Sequence, residues 1–575
     1  MIDIEAAVDG KFPGFAKQPK LIRKSTISFL RRLTHEKEIN SFLLTHQNSS
    51  GFDFIDDVFK FFDFHYTANA TDRSNIPSLG RVVIIANHPI GSLDGLAILR
   101  LVGEVRPDVR IVANDMLSHF DAIKDLIITL DNMTGGSPRR AYKEVLEALE
   151  NEEAIIVFPA GEVSRASPTG VRDTRWHPGF LNFARKTHAP LLPVHIRGKN
   201  SLLFYGASMV YKPLGTALLA HEMFNQTSQV IHFNVGEMIR VQGLDSKSMH
   251  DRTLVKRLKQ HLYRLNKVNR QPIFETEKTI PPPQDSSAID CELQKGVCLG
   301  ETRDGNKIYL ADCDHHSILL QEIGRLRELA FRKVGEGTGR ATDIDEYDLY
   351  YQHLVLWDTT KREIAGAYRL GDGPRIMQER GESGFYTRAL YKFTPEFTPY
   401  LTQTLELGRS FVNPNYWGKA SLDYLWQGLG AYLAHRPDIR YLIGPVSMSA
   451  SYPQVLMDTL TYFYGRYHSC PDQLASAYHP YTLSDSIVIA LDIEFGELDR
   501  DAAFDAMQAK FAEHGHKLPV LFKQYTALFD EGGFQSIVFS IDPDFGDCLD
   551  GLCMCDLHKL KISKRKRYIP SMLND

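Results

Sequence analysis

The sequence predicts an α/β protein built from two domains, and three observations support this fold class. A chain of 575 residues is too long for a single hydrophobic core. The first half alternates strand-like and helix-like segments, which is typical of a mainly parallel sheet covered by helices. Between the halves, ETEKTIPPPQDSSAID combines consecutive prolines with polar residues, and this composition favours an extended, unpacked chain. We therefore expect a domain over residues 1–275, a linker over 276–295 and a second domain over 296–575.

The composition excludes several classes of protein. Hydrophobic residues make up 43% and charged residues 24% of the chain, which is ordinary for a water-soluble globular protein. A net charge of -5 argues against nucleic acid as a partner. The cysteine count is 7, an odd number in a long chain, which predicts reduced thiols in the cytoplasm rather than a disulfide framework.

Two further expectations concern targeting and membranes. The segment MIDIEAAVDGKFPGF lacks the basic and apolar regions of a signal peptide. The sequence has no apolar run of about 18 residues or more, so we expect no membrane-spanning helix. Contact with a membrane surface stays open.

In the first half, apolar runs predict strands and an amphipathic segment predicts a helix. The strand-like runs are RVVIIAN, VRIVAN, AIIVFPA and PLLPVHI, and SPRRAYKEVLEALENEE has the three- and four-residue apolar spacing of a helix. In a mainly parallel sheet the site lies at the carboxyl ends of the strands. Asn87 and His88 directly follow the first run, so we expect functional side chains there.

A phenylalanine-rich segment over residues 52–66, FDFIDDVFKFFDFHY, has two interpretations. It predicts either an amphipathic helix that lies on lipid or a helix packed on the domain core, and we favour the second.

The second half also mixes helices and strands. QEIGRLRELAFRKVG and KASLDYLWQGLGAYLAHRP predict helices, the latter ended by Pro437. HLVLWD, REIAGAYRL, LELGRSFV and YLIGPVSM predict strands.

A histidine and a carboxylate follow the first predicted strand, in VVIIANHPIGSLDG. An imidazole can remove a proton from a hydroxyl near neutral pH, and a carboxylate can fix the tautomer of the ring and stabilise the imidazolium. His88 and Asp94 are therefore candidates for a general base and its orienting partner, although such a pair in one turn is often structural. No nucleophile motif such as G-x-S-x-G accompanies them, which favours direct attack by a substrate hydroxyl.

Together with FPAGEVSR and LLPVHIRG, this turn resembles the glycerolipid acyltransferase superfamily, over roughly residues 80–200. That superfamily includes the 1-acylglycerol-3-phosphate acyltransferases and has an N-H-x4-D motif, an F-P-E-G-T-R block and a V-P-V-type block. The resemblance implies a lysophospholipid acyltransferase-like O-acyltransferase domain. In it, His88 would be the catalytic base on the acceptor hydroxyl, and Asp94 would support it.

Two departures from the family pattern concern the acceptor. Five residues instead of four separate His88 from Asp94, and Glu162 follows the glycine of its block instead of preceding it. Because that block handles the phosphate of the acceptor in the family, the altered block argues against a phosphate-bearing acceptor. We expect Glu162 and Arg165 to line the acceptor site. WHPGF, residues 176–180, is interpreted either as part of an acyl pocket or as core packing.

The most informative stretch of the second half is LELGRSFVNPNYWGKASLDYLWQGL, a strand, a short loop and a helix. Backbone N–H groups at a helix start can hold phosphate or pantetheine oxygens. Glu406 could orient or deprotonate an attacking amine, or it could merely pair with Arg409 at the end of a strand.

An ordered series of residues resembles two related families over roughly residues 300–555. One family is the acyl-homoserine-lactone synthases, and the other is the hemolysin-like N-acyltransferases that make lyso-ornithine lipid. LELGRSFVNPNYW, LWQGL, YLIGPVSM and FSIDPDFGDCLDGL match the second family more closely. The series is Arg327, Phe331, Asp345, Asp348, Arg369, Glu406 and Arg409.

This second resemblance implies a GNAT-like α/β domain with acyl carrier protein as donor. It implies a catalytic role for Glu406 and substrate-binding roles for the rest of the series, in which acidic residues hold the amine and arginines hold local charge in place. RKVGEG, residues 332–337, spells the R-x-x-G-x-G of coenzyme A loops but follows a helix near the domain start. The segment in the right place, 412–419, lacks that motif, which favours acyl carrier protein and no resident cofactor.

Two other sequence signals concern metal binding and contact with lipid. Cys548, Cys553 and Cys555 lie in CLDGLCMCDL, which reads as a strand and lacks the second ligand pair of a zinc site, so we expect no metal. The basic segment HKLKISKRKRYIP could contact anionic lipid headgroups, an acidic carrier protein or solvent alone.

The two resemblances together imply a bifunctional ornithine lipid synthase. The C-terminal domain would join a 3-hydroxyacyl group to the α-amine of ornithine, and the N-terminal domain would esterify the 3-hydroxyl of the resulting lyso-ornithine lipid. Expected partners are acyl carrier protein, ornithine, lyso-ornithine lipid and the cytoplasmic face of a bacterial inner membrane. The alternatives are an acyltransferase for lysine, glutamine or glycine, a lysophosphatidic acid acyltransferase fused to a non-catalytic module, and a membrane-bound scaffold with decayed sites.

Overall fold

The protein is seen in a computed structural model that describes residues 3–11, 14–15, 18–114, 120–130, 138–167, 170–210, 218–226, 229–240, 244, 249–267 and 271–569. The chain divides into two compact units, Met1–Pro282 and Pro283–Asp575. Both units combine a sheet with helices, so the predicted α/β class is confirmed.

The first unit alternates helices and strands along most of its length. Its helices are α1 (Ile4–Lys11), α2 (Lys20–Leu33), α3 (Glu36–Thr45), α4 (Gly51–Phe62), α5 (Ala70–Ser74), α6 (Ser92–Gly103), α7 (Pro138–Glu150), α8 (Gly179–Thr187), α9 (Leu202–Val210), α10 (Leu219–Asn225) and α11 (Asp251–Arg264). Its strands are β1 (His65–Thr67), β2 (Val82–Ala86), β3 (Val109–Asn114), β4 (Ile127–Leu130), β5 (Ala154–Val157), β6 (Arg165–Ser167), β7 (Gly170–Arg172), β8 (Leu191–Arg197), β9 (Val230–Val235), β10 (Met238–Ile239) and β11 (Thr276–Glu277).

A parallel core of strands positions the first site. The main sheet has the order β1-β9-β8-β2-β5-β3-β4, and the strands from β8 to β4 in this order are parallel. Every residue of β2 is buried, because its side chains meet apolar clusters on both faces of the sheet. The carboxyl ends of β2, β5 and β8 therefore meet at one edge of the sheet.

The sequence-based predictions for this unit largely match. The strands predicted from the four apolar runs are β2, β3, β5 and β8, and the predicted helix is α7. The phenylalanine-rich segment forms α4, whose Phe54, Ile55 and Phe59 are buried in the core, so the core-packed interpretation is confirmed. The helix ends at Phe62 because Asp63 adopts a left-handed conformation with φ of 45°.

The second unit is built around a largely antiparallel sheet. Its helices are α12 (Ser286–Leu293), α13 (Ile318–Val334), α14 (Gly373–Glu379), α15 (Thr398–Leu401), α16 (Ser421–Ala434), α17 (Gln454–Tyr467), α18 (Asp485–Phe495), α19 (Arg500–Glu513), α20 (Val520–Leu528) and α21 (Ile562–Tyr568). Its strands are β12 (Val297–Glu301), β13 (Lys307–Asp312), β14 (Gln352–Asp358), β15 (Glu363–Asp372), β16 (Tyr391–Phe393), β17 (Thr404–Val412), β18 (Tyr441–Met448), β19 (Ala475–Ala477), β20 (Phe534–Asp542) and β21 (Cys548–Asp556).

The strand order of the second sheet is β12-β13-β14-β15-β17-β18-β21-β20. Its neighbours pair antiparallel except β17 and β18, which run parallel because α16 crosses between them. The predicted strands and helices of this half are confirmed, including β21 with the buried Cys548, Cys553 and Cys555. RKVGEG forms the end of α13, where Gly335 adopts a left-handed φ of 82°.

The predicted linker needs correction. Within residues 276–295, β11 pairs with β10 of the first unit, and α12 packs through buried Ile289 and Leu293. Apolar residues spaced for one helix face lie inside a segment whose overall composition reads as polar, and that spacing was overlooked. No helix in the described ranges is long and apolar enough to cross a membrane.

We predict that Gly430→Ala weakens the second unit. A Cβ at Gly430, in the middle of α16, would lie 1.9 Å from the carbonyl oxygen of Tyr568 in α21. Since that contact is backbone, α21 must move, and the free energy of unfolding should fall by roughly 1–3 kcal/mol. Gly465→Ala in α17 is the matched control, because nothing lies within 4 Å of its Cβ. Urea denaturation midpoints that coincide for the two variants would contradict this packing.

Candidate active sites in the two units

Asn87 anchors the first site to the sheet. It follows β2, and its side-chain amide donates to the carbonyl of Ile196 in β8 at 2.9 Å while its Oδ1 accepts from the N–H of Ile196 at 2.7 Å. This reciprocal pair ties together the carboxyl ends of two parallel strands. The next residue, His88, therefore starts from a fixed backbone position.

His88 and Asp94 are brought together as predicted. The Nδ1 of His88 lies 2.7 Å from Oδ1 of Asp94, and Asp94 is completely buried in the first turn of α6. Its Oδ2 accepts from the N–H groups of Ile90 at 2.7 Å and Gly91 at 3.3 Å. Gly91 has a φ of 123°, which few other residues adopt.

The imidazole is held so that one nitrogen stays free. The ring stacks on Phe158, with centroids 4.1 Å apart. Burial lowers the pKa of His88, whereas the charge and hydrogen bond of Asp94 raise it, and the net pKa is raised. None of the described residues hydrogen-bonds to Nε2, so this nitrogen can take a proton from an acceptor hydroxyl.

Glu162 and Arg165 lie on a loop that touches His88. The N–H of Ser164 donates to the carbonyl of His88 at 2.7 Å. Nη2 of Arg165 lies 3.5 Å from Oε2 of Glu162, and its guanidinium stacks over Phe204. The predicted acceptor-side residues are therefore adjacent to the base, as an opposite-charge pair.

Asp173 is a member of this site that sequence reasoning missed. Its carboxylate accepts from the N–H of His88 at 3.2 Å, the hydroxyl of Ser164 at 2.5 Å and the indole of Trp176 at 2.8 Å. Trp176 and Phe180 of the WHPGF segment are buried in the core, so the core-packing interpretation of that segment is confirmed. No pattern in the sequence joins Asp173 to a histidine 85 residues away.

In the second unit, arginines and carboxylates of the predicted series form one buried network. Nη1 of Arg327 donates to Oδ1 of Asp348 at 2.7 Å, and Nη1 of Arg369 lies 3.3 Å from the same oxygen. Burial opposes the charge of Asp348, but the two arginines hold the pKa of its carboxyl well below the usual range. Asp345 accepts from Arg369 at 2.5 Å and keeps 20% of its side chain exposed, so it is the carboxylate of this network open to a ligand.

Phe331 does not line this network directly. It is buried in the core and meets the ring of Phe545 edge-on, with centroids 4.9 Å apart. Phe545 in turn lies under the guanidinium of Arg409 at 5.0 Å. The predicted substrate contact is therefore corrected to a support behind Arg409.

Glu406 is buried, and both its oxygens are occupied. Oε1 accepts from the N–H of Thr387 at 2.8 Å and from its hydroxyl at 2.5 Å, while Oε2 accepts from the N–H of Tyr386 at 3.0 Å and from the hydroxyl of Tyr351. Each oxygen of this carboxylate therefore already accepts two hydrogen bonds. The geometry thus fits the orienting role, which is one of the two roles that the sequence predicts for Glu406.

Arg409 leaves the regular strand to reach the site. It has a φ of 48°, and the pairing of β15 with β17 shifts register nearby. Its Nη1 donates to the hydroxyl of Tyr386 at 2.9 Å, and its Nε lies 3.1 Å from the buried Asp343. Arg409 therefore pairs with Asp343, and the predicted alternative of an ion pair with Glu406 is wrong.

β17 and β18 part beside Arg409. They pair only over residues 404–406 and 441–443, although β17 runs on to Val412 and β18 to Met448. The opening between these two strands lies within residues 271–569, all of which the structure describes. The pairing of the two strands therefore ends three residues before Arg409.

Three carboxyl groups outside the predicted series lie near this opening. Asp550 of β21 is opposite Ser447 of β18, and it interacts electrostatically with Asp542, Glu336 and Arg409. Burial raises the pKa of Asp550 to about 6 and that of Glu336 to about 8. Among the described residues, none of the three has an ion-pair partner within 4 Å. They were missed because they come from a helix end and two distant strands.

Comparison with known families agrees with the fold of both units. A family profile described as Acyltransferase matches residues 10–269, and a profile described as Acetyltransferase (GNAT) domain matches residues 326–427. The fold and the family profiles thus define an acyltransferase that combines an acyltransferase domain with a GNAT domain.

Curated relatives place the chain more closely. It is 32% identical over 306 residues to a glycine N(alpha)-acyltransferase of Phocaeicola vulgatus, covering 51% of this chain and 92% of the relative. It is 30% identical over 252 residues to a lyso-glycine lipid O-acyltransferase of that organism, covering 43% of this chain and 88% of the relative. An L-ornithine N(alpha)-acyltransferase of Rhodobacter capsulatus is 30% identical over 272 residues, covering 46% of this chain and 92% of the relative. The chain belongs to the family of these N- and O-acyltransferases.

Solved structures similar to the chain include two acyl-transferring enzymes. The 1-acyl-sn-glycerophosphate acyltransferase PlsC from Thermotoga maritima has a TM-score of 0.26 at 19% identity and covers 46% of this chain and 93% of its own. The CoA-dependent acyl-homoserine lactone synthase BjaI has a TM-score of 0.19 at 15% identity and covers 35% and 99%. The fold assignment rests on the sheet topology and the family profiles.

We predict that Glu406→Gln destabilises the second unit. The amide nitrogen of the new side chain must point its N–H groups at groups that are themselves donors. The free energy of unfolding should therefore fall by about 1–3 kcal/mol. Glu513→Gln, at an exposed position of α19, is the control and should leave stability unchanged. Thermal unfolding of the two variants decides the point. A Glu406→Gln protein as stable as the control would show that the four donors are not a constraint.

Proposed function

We propose that the chain is a bifunctional acyltransferase that makes ornithine lipid. The second unit transfers a 3-hydroxyacyl group from acyl carrier protein to the α-amine of ornithine, and the first unit then acylates the 3-hydroxyl of the lyso-ornithine lipid. The observation that carries this proposal is the presence of two differently built sites in one chain. One offers a free imidazole nitrogen to a hydroxyl, and the other offers carboxylates to a cation.

The first unit suits a hydroxyl acceptor. A hydroxyl must lose its proton as it attacks, and Nε2 of His88 can take that proton while Asp94 stabilises the imidazolium. The acyl carbonyl then gains a bond to oxygen and loses its bond to the thiol sulfur, and the thiolate recovers the proton from His88. Glu162 and Arg165 form a neutral pair beside the base, which suits a headgroup that carries both charges better than a phosphate.

The second unit suits an amine acceptor with a second positive charge. Asp345, Asp542, Asp550 and Glu336 surround the region of Arg409, and the last three have no ion-pair partner within 4 Å in the described chain. A side-chain ammonium group would supply that partner, since buried carboxyl groups ionise when a cation binds. Ornithine has such a group and glycine does not.

Glycine is the second candidate acceptor, and a specific observation favours it. The glycine N(alpha)-acyltransferases match a larger share of this chain than the ornithine enzyme does, at 51% against 46%. Acyl carrier protein is the proposed donor for both candidates because residues 412–419 lack the R-x-x-G-x-G of coenzyme A loops. Both reactions would take place at the cytoplasmic face of the membrane, where a lipid product remains.

We predict three distinct lipid profiles in a bacterial host that lacks amino-acid lipids. Wild type should yield a diacylated ornithine lipid by mass spectrometry, His88→Ala should stop at the monoacylated form, and Glu406→Ala should yield neither. His65→Ala, at an exposed histidine of the first unit, is the control for His88→Ala and should match wild type. Diacylated glycine lipid from wild type would establish glycine as the acceptor. More phosphatidic acid without any amino-acid lipid would refute the proposal.

We predict that Asp550→Asn impairs the reaction with ornithine but not the reaction with glycine. Removal of one charged contact to an ammonium group costs about 1.5–3 kcal/mol, so the KM for ornithine should rise by about 10- to 100-fold. The kcat/KM for glycine should stay unchanged, because glycine has no side-chain charge. Asp556→Asn is the control, since this carboxylate ends the same strand but pairs with Arg440. An equal effect of Asp550→Asn on both amino acids would contradict a cation-binding role.

A further inference from the structure

Asp173 joins three segments around His88. It follows β7, is 5% exposed, and lies in a sequence region that no motif marks. Its Oδ1 accepts from the main-chain N–H of His88 and from the hydroxyl of Ser164, and its Oδ2 accepts from the indole of Trp176. The three donors hold the carboxylate in one orientation. Burial raises the pKa of Asp173, and the three hydrogen bonds oppose that shift because they favour the ionised form.

The other side of Asp173 is fixed by α11. Its N–H donates to the hydroxyl of Tyr263 at 2.9 Å. Nζ of Lys259 donates to the carbonyls of Asp173 at 2.6 Å and Thr174 at 2.7 Å. The loop therefore cannot move without breaking contacts to the helix.

His88 and Ser164 are connected twice. The N–H of Ser164 donates to the carbonyl of His88, and Asp173 bridges the N–H of His88 to the hydroxyl of Ser164. Ser164 lies between Glu162 and Arg165 in the chain. One carboxylate thus sets the distance between the base and the loop beside it.

We propose that Asp173 is a positioning residue for acyl transfer to a hydroxyl, which holds the main chain of His88 against the loop of Glu162 and Arg165 and adds a second negative charge beside the imidazole. This inference rests on the function proposed for the first unit. When Nε2 takes the proton of the acceptor hydroxyl, the imidazolium is stabilised by Asp94 through a hydrogen bond and by Asp173 across space. Asp173 itself exchanges no proton with the substrate.

The charged groups around His88 decide whether loss of the Asp173 charge raises or lowers the pKa of His88. Asp94 faces the ring from α6 and Asp173 from the loop, and both raise the pKa of His88. Lys259 from α11 and Arg172 from β7 lie on the Asp173 side, and Glu162 and Arg165 neutralise each other. An uncharged residue at 173 therefore lowers the pKa of His88. Because the base must be unprotonated, the acid limb of the rate profile should move to lower pH.

The test compares Asp173→Asn with Asp72→Asn in the full-length protein. Asp72 is a matched control because it is also a buried carboxylate of the first unit that accepts main-chain N–H groups, from Asn69 at 3.1 Å and Val235 at 2.7 Å. The readouts are the pH profile of acyl transfer to a synthetic N-(3-hydroxyacyl)ornithine and the titration of His88 by NMR of the isotope-labelled imidazole.

We expect Asp173→Asn to lower kcat by about 10- to 100-fold, the loss typical of a slightly misplaced catalytic group, with a smaller change in KM. Its acid limb and its His88 pKa should both move to lower pH, and Asp72→Asn should move neither. An active wild type with an unmoved or raised His88 pKa in Asp173→Asn would overturn the inference alone, as would equal kcat losses in the two variants. A wild type that acylates no hydroxyl would overturn the proposed function of the unit instead.

Discussion

The buried negative charge of Asp94 is the constraint on which the first site depends. A carboxylate removed from water is stable only when hydrogen bonds and an opposite charge replace its hydration. Here the N–H groups of Ile90 and Gly91 supply two donors, and His88 supplies the third. The turn after β2 cannot change shape without leaving one of these groups unsatisfied. The imidazole is consequently directed before any substrate arrives, which is how a preorganised base lowers a reaction barrier.

The second unit also buries carboxylates, and it compensates them with arginines and with uncharged hydrogen-bond donors. Asp348 is satisfied by two arginines and Glu406 by four uncharged donors, so the burial of both carboxylates is compensated within the unit. Among the described residues, the carboxyl groups at the parted strands have no ion-pair partner within 4 Å, and burial raises their pKa values. We propose that the first set of acidic residues builds the site and that the second is left for a ligand. The net charge of the chain would not distinguish these two sets of carboxyl groups.

The sequence predicted the features that depend on local spacing. Continuous apolar runs identified β2, β3, β5 and β8, and the His88–Asp94 pair lies within one turn, so both could be read directly. Asp173, Asp343 and Asp550 could not, because each reaches its site through pairing of segments far apart in the chain. The donors around Glu406 could not be read from the sequence for a related reason: they come from Tyr351 and residues 386–387, which no pattern links to β17. The linker was misjudged because two buried apolar residues outweigh a polar composition.

The order of the two proposed reactions follows from the chemistry of their groups. The hydroxyl that His88 would activate belongs to the acyl chain that the second unit attaches, so amide formation comes first. That step removes the charge of the α-amine and leaves ornithine with one carboxylate and one ammonium group. The acceptor presented to the first unit is then a zwitterion, whereas a lysophosphatidic acid is an anion. Glu162 and Arg165 lie 3.5 Å apart as a neutral pair, and the placement of Glu162 after the glycine of its block lets that carboxylate reach Arg165. The altered block is thus compatible with the zwitterionic acceptor proposed for the first unit.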